Sequence, residues 1–168
     1  MSLSARLNAR LTGRHSTPLD LGSANYPLSA GVVVDLVDGT GAGQADRLFT
    51  DRRTIVASGT DALDLAGVLV DAFGAVITMA RVKALYVAAA ATNVNNLLVG
   101  GAAANTWTSW AGAADNEIVI RPGGALLLVA PDAVAYPVTA GTADQLQIAN
   151  SGSGSSVTYD IVIIGASA

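Results

Sequence analysis

The chain has 168 residues, 51% of them hydrophobic and only 13% charged, with 18 glycines and a net charge of −4, a composition that suits a single buried core with many turns and excludes a disordered chain. It has no cysteine, which removes disulfides, thiolate metal sites and cysteine nucleophiles. No apolar run approaches the ~18 residues of a membrane helix, and the start MSLSARLNARLTGRH lacks the apolar stretch of a secretory signal, so the chain reads as soluble with no membrane partner.

Residues 1–27 read as an N-terminal arm, extended or short-helical. Leu3, Leu7 and Leu11 stand four apart, and so do Arg6, Arg10 and Arg14, two stripes that would run along one short helix. Gly13 and Pro18 then interrupt it. A helix of that length needs a packing partner, because nucleation is costly. The segment is therefore read as a frayed terminus, an arm docking on a neighbouring subunit, or a helix capping the domain. Residues 1–30 hold three arginines against Asp20, a balance of +2 that leaves −6 for the remainder. The remainder offers only Arg47, Arg52, Arg53, Arg81, Lys83 and Arg121 as cations, too few for a duplex-binding surface, and no nucleic-acid partner is expected.

Residues 28–168 read as one β-domain. Val32, Val33 and Val34 form a β-branched run, GTGAGQAD a loop, and RLFTDRRTIVAS an irregular strand with polar residues outward. DALDLAG sets Leu63 and Leu65 against Asp64; the alternative, a helix over 61–73, is weakened by Gly67. From residue 75 onward the chain breaks into short β-rich runs, AVITMA, VKALYVAA, NNLLVGG, EIVIRP, ALLLVAP, YPVTAG, DQLQIAN and SVTYDIVIIG, most of them bounded by Gly, Pro, Asn or Asp. Pro122 and Gly123 suit the centre of a type II turn. In the last run Val157, Tyr159, Ile161 and Ile163 share an inward face opposite Thr158 and Asp160, while Val162 and Ile164 make the far end apolar on both sides. NSGSG at 150–154 is expected to join the last two strands as a hairpin. With no ten-residue helical pattern between them, these runs predict an all-β fold, an antiparallel β-sandwich or jelly-roll-like single domain.

Two stretches carry the look of a nucleotide fold. DIVIIGAS and VVVDLVDGTGAG each run an apolar strand into glycine, but neither leads into the helix that a pyrophosphate requires, and no Gly-Lys-Ser/Thr follows. Catalytic residues are equally scarce. His15 is the only histidine and lies in the arm, Glu117 is the only glutamate, and the aspartates fall mostly at turns where local hydrogen bonding accounts for them. No enzyme is expected, and with one histidine, no cysteine and no dense aspartate loop, neither a metal nor a cofactor. Trp107 and Trp110 either seal one end of the sandwich or form an exposed sugar-binding loop; packing is the favoured role.

The runs LGSANYPLSAGVVVDLVDGTGAGQADRLFTDRRTIVASGTDALDLAG, VGGAAANTW, IRPGGALLLVAPDA and VTAGTADQLQIANSGSGSSVTYDIVIIGASA together resemble a group of small virion structural proteins of tailed bacteriophages. The resemblance covers residues 20–168 and brings no catalytic residues with it. It implies a capsid decoration or cement protein on the virion surface, with the major capsid protein and further copies of itself as partners, a trimer being the commonest assembly in that role. The alternative is a tail- or fibre-associated sandwich contacting the host surface or glycans. On this reading Leu3, Arg6, Leu7, Arg10, Leu11 and Arg14 form the capsid-docking arm.

Overall fold

The computed structural model describes residues 2–168, and every regular element among them is a β-strand. In chain order these are β1 (Ala5–Leu19), β2 (Gly22–Asp38), β3 (Gln44–Ala45), β4 (Arg47–Ile55), β5 (Thr60–Asp64), β6 (Arg81–Ala89), β7 (Leu97–Gly100), β8 (Glu117–Ile120), β9 (Ala125–Val129), β10 (Tyr136–Pro137), β11 (Gln145–Asn150) and β12 (Val157–Ala166). Besides a small β1-β2-β3 sheet, two sheets form the body: one runs β10-β6-β12-β4, with β9 pairing β6 beside β10; the other runs β5-β11-β7-β8. All pairings within these two sheets are antiparallel.

The sheets face each other across one core. Phe49, Leu85, Val87, Ile161 and Ile163 from the first meet Leu63, Leu97, Val99, Leu146 and Ile148 from the second. The inward set predicted for the last strand is the observed one: Val157, Tyr159, Ile161 and Ile163 are all buried. Burying apolar side chains on alternate positions is what fixes the register, since a slip of one residue would turn the whole set to water.

Several expectations need correction. The arm takes the extended of its two expected forms, and only the helical one falls away: β1 and β2 pair from Ala5↔Leu36 to Leu19↔Gly22 as one long hairpin. The break expected after residue 27 falls inside β2. NSGSG is not a hairpin within one sheet. β11 and β12 are each central strands with two partners already, so neither has a free edge for the other, and the loop passes from one sheet to the opposite one. Asn150 holds that passage: its amide donates to the carbonyls of Val56 (3.0 Å) and Ser155 (2.8 Å), and its oxygen accepts from Asn95 (2.9 Å). AVITMA forms no strand, only a bridge between Val70 and Val76, and residues 61–73 begin as β5 with no helix. The predicted turn at Pro122 stands, with Gly123 at φ +76° and the Gly124 N–H donating to the Arg121 carbonyl at 2.8 Å.

Candidate functional site

The arm residues named from the sequence fall on a two-stranded ribbon that leaves the body. Successive side chains of a strand alternate between faces, so Leu3, Leu7 and Leu11 lie on one face of the ribbon and Arg6, Arg10 and Arg14 on the other. At the base the leucine face is covered. Leu3, Ala5, Leu7, Val34 and the buried Leu36 pack against Ala45, Ala84, Val162 and Ile164, on the side of the first sheet away from the main core. From Arg10 to Val33 every residue is exposed.

On the opposite face the arginines differ in their partners. Arg6 lies 3.5 Å from Asp35, both largely in water, where such a pair contributes little. Arg10 donates to the Ser29 hydroxyl (3.3 Å) and Arg14 to the Asn25 side-chain oxygen (2.9 Å). Among the described residues, neither of these two guanidiniums has a carboxylate partner. The ribbon is therefore amphipathic, with an uncharged apolar face and a cationic face.

Three local devices order the chain around the ribbon's base. Leu3 N–H donates to Asp38 at 3.0 Å. Asp46 accepts from the Ser167 N–H (2.9 Å) and hydroxyl (2.6 Å), closing the end of β12 against the β3–β4 junction. Lys83, the only lysine and fully buried, sits where the β6–β12 register shifts: Ile164 pairs with Ala84 and Gly165 with Val82, leaving Lys83 as the extra residue of a bulge. Its ammonium donates to the carbonyls of Gly41 (3.2 Å) and Asp132 and so ties two loops together. Burial pulls the lysine pKa below its ordinary value, the Arg81 charge adds to that, and Asp132 opposes it.

A groove of about 640 Å³ opens at the ribbon's base, lined by Leu3, Asp38, Asp46, Arg47, Phe73 and Val76 among others. Its carboxylates are already engaged: Asp38 by Leu3, Asp46 by Ser167 and Arg47, and Asp71 by the Phe73 and Ala75 N–H groups.

A second polar cluster bridges the two sheets. The Tyr159 hydroxyl, reaching out of the core, donates to Asp61 at 2.7 Å, and Arg53 reaches the same carboxylate oxygen at 2.7 Å. Burial, then the bond to Asp61, pushes the phenol well above its ordinary pKa. On the outer face Arg52 holds Asp160 through two bonds (2.6 and 2.8 Å), which pulls that carboxyl below its usual range. Sequence reading had no signal for the Arg53–Asp61 pair, which meets only through the apposition of separate sheets, or for Arg52–Asp160, which depends on the pairing of β4 with β12.

The candidate catalytic residues do not converge. His15 stands on the ribbon opposite Tyr26, and Glu117 begins β8 in the second sheet. Among the described residues no group of three or more His, Asp or Glu side chains is placed to hold a metal. Trp107 is buried and donates to the Pro137 carbonyl at 2.8 Å; Trp110 packs on it with ring centroids 6.0 Å apart, and its indole N–H is buried without a partner. The pair seals one end of the sandwich. Set beside known proteins, the chain matches no family model, no curated protein and no solved structure.

Proposed function

We propose that this protein is a structural component of a tailed-bacteriophage virion, a decoration or cement protein that binds the outside of the capsid, with the major capsid protein and other copies of itself as partners. The observation that carries the reading is the free ribbon. A two-stranded β-ribbon is at best marginally stable alone in water, yet this one continues for ten paired positions, Arg10↔Gly31 to Leu19↔Gly22, beyond the last residues the body covers. At ~3.3 Å per residue that is a reach of about 33 Å. A surface of that kind becomes useful when assembly covers it. The phage-like runs of the sandwich support the same role, and so does a body whose polar groups are spent on holding loops and sheets together. Binding, not turnover, is what the role requires.

On this reading the cationic face, with Arg10 and Arg14 unpaired by carboxylates, meets an acidic strip of the shell; such contacts supply orientation and association rate more than raw affinity. The test is direct. Cryo-electron microscopy of capsids should show the chain on the outer surface. A variant with Leu11–Ala30 replaced by a short turn, which leaves the covered base intact, should fold and lose occupancy. Absence of the chain from the particle, or full occupancy by the trimmed variant, would refute the reading.

A further inference from the structure

We infer that the uncharged face of the ribbon is a self-association surface whose occupant is the same face of a second copy of this chain. The inference deepens the reading of the protein as a homo-oligomer and rests on it. In an antiparallel pair, residues directly opposite each other project to the same side. The register therefore assembles Ala9, Leu11, Tyr26, Leu28, Ala30 and Val32 on one face. Leu11 is 64% exposed, Tyr26 68%, Leu28 43% and Val32 52%. From Ala9 to Leu19 and from Gly22 to Val32 this face carries no Asp, Glu, Lys or Arg, its polar members being His15, opposite Tyr26, and Thr17; every arginine of the ribbon projects the other way.

That separation decides the occupant. A partner recognised by charge would engage the arginine face and find nothing to read on this one. A second copy brings an identical apolar strip, so pairing the two strips places no like charges in contact and leaves both sets of arginines outside. The strip also continues a contact that already exists. Its base, Leu3, Ala5 and Leu7, packs on Ala84, Val162 and Ile164, and a second ribbon laid on the free part prolongs that apolar layer. Tyr26 at 68% exposure offers on the order of 150 Å² by itself, as a large aromatic, and Leu11, Leu28 and Val32 add their own exposed area to it. The flanking alanines, Leu19 and the ribbon backbone bring this toward the ~800 Å² per partner of a standard stable interface.

The full-length protein tests this by sedimentation or light scattering across micromolar concentrations, with circular dichroism and melting to verify the fold. Wild type should be oligomeric. Leu11→Asp combined with Leu28→Asp should weaken association on the order of 100-fold or more, since two exposed leucines that the contact would bury become charges. Arg10→Glu combined with Arg14→Glu, on the other face, should leave association intact. Because the chain has no cysteine, a second route does not depend on charged variants. Leu28→Cys should be joined between chains by a short thiol cross-linker, and Ser29→Cys, one residue on and facing away, should not. An oligomer unmoved by the leucine pair, dissociation by the arginine pair, or equal cross-linking at both positions would overturn the surface while leaving self-association standing. A wild type that stays monomeric would overturn both.

Discussion

Replacing Tyr159 by Phe removes one oxygen from the seam between the two sheets and leaves the ring in place. The side chain is 1% exposed and its hydroxyl donates to Asp61 at 2.7 Å. A hydrogen bond to a charged acceptor contributes ~1.5–3 kcal/mol. Asp61 keeps Arg53 at 2.7 Å, so its carboxylate is not stranded, and the cost should fall near 1.5–2 kcal/mol. For a domain of this size that lowers Tm by roughly 3–8 °C. The pH dependence is the sharper test. The folded protein holds the phenol neutral well above its ordinary pKa, whereas the unfolded chain ionises near pH 10. Above that pH the unfolded state binds fewer protons, and the tyrosine's contribution to stability falls as pH rises. At about pH 11 the loss is RT ln 11, about 1.4 kcal/mol, which nearly cancels the deficit of the Phe variant. Urea midpoints of both proteins at about pH 7, 9 and 11 should show a gap at the first two that closes at the third. The other titrating groups are common to both proteins and cancel. A gap that is absent at neutral pH, or unchanged up to pH 11, would refute the reasoning.

Lys83→Met keeps the stem and removes the ammonium, so the carbonyls of Gly41 and Asp132 lose their donor; relief of a buried charge offsets part of this, leaving a net loss of ~1–3 kcal/mol. Backbone amides in the two tied loops should exchange faster by hydrogen–deuterium mass spectrometry. Because the fold disfavours the charged lysine, wild-type stability should also gain from this group as pH rises toward ~10.4, and the Met variant should lack that gain. Gly165→Ala places a Cβ 2.6 Å from the Arg81 carbonyl oxygen and 2.9 Å from the Met79 sulfur, overpacking that should cost ~1–3 kcal/mol. A melting temperature equal to wild type would show that the bulge can open to accept it.

Much of the sandwich was legible because alternation in β-strands has a direct physical reading. Val157, Tyr159, Ile161 and Ile163 alternate with Thr158 and Asp160, and burial follows that pattern. The glycine that ends DIVIIG, a feature shared with nucleotide folds, has its explanation in packing: Gly165 sits at the β6–β12 bulge, where the Arg81 backbone leaves no room for a Cβ. Sheet membership was not legible. NSGSG has the composition of a tight turn, and composition does not say whether a turn joins neighbours or spans two sheets; here the decision rests on Asn95 and Asn150, whose bonds depend on strands distant in sequence. Lys83 likewise reads as a polar position in a strand until the bulge turns it toward the loops.

The arm shows most clearly why a correct stripe can be assigned to the wrong element. A spacing of four returns to the same side of an α-helix after slightly more than one turn and to the same side of a strand after two full alternations, so Leu3, Leu7, Leu11 and Arg6, Arg10, Arg14 fit both. What separates the two is the residues between. In the strand reading Ala5 and Ala9 must join the leucines, and Asn8 and Thr12 the arginines, giving an apolar face and a polar face; the sequence supplies both. The decisive signal lies downstream. Tyr26, Leu28, Ala30, Val32, Val34 and Leu36 hold alternate positions, a period of two that only a strand uses, and they pair with His15, Gly13, Leu11, Ala9, Leu7 and Ala5 in turn. The doubly apolar end of the last strand carried the matching half of the message. Val162 and Ile164 point away from the main core, and they are apolar because the base of the ribbon lies over them. A strand end that is greasy on both faces predicts a second layer, and that layer is the arm itself.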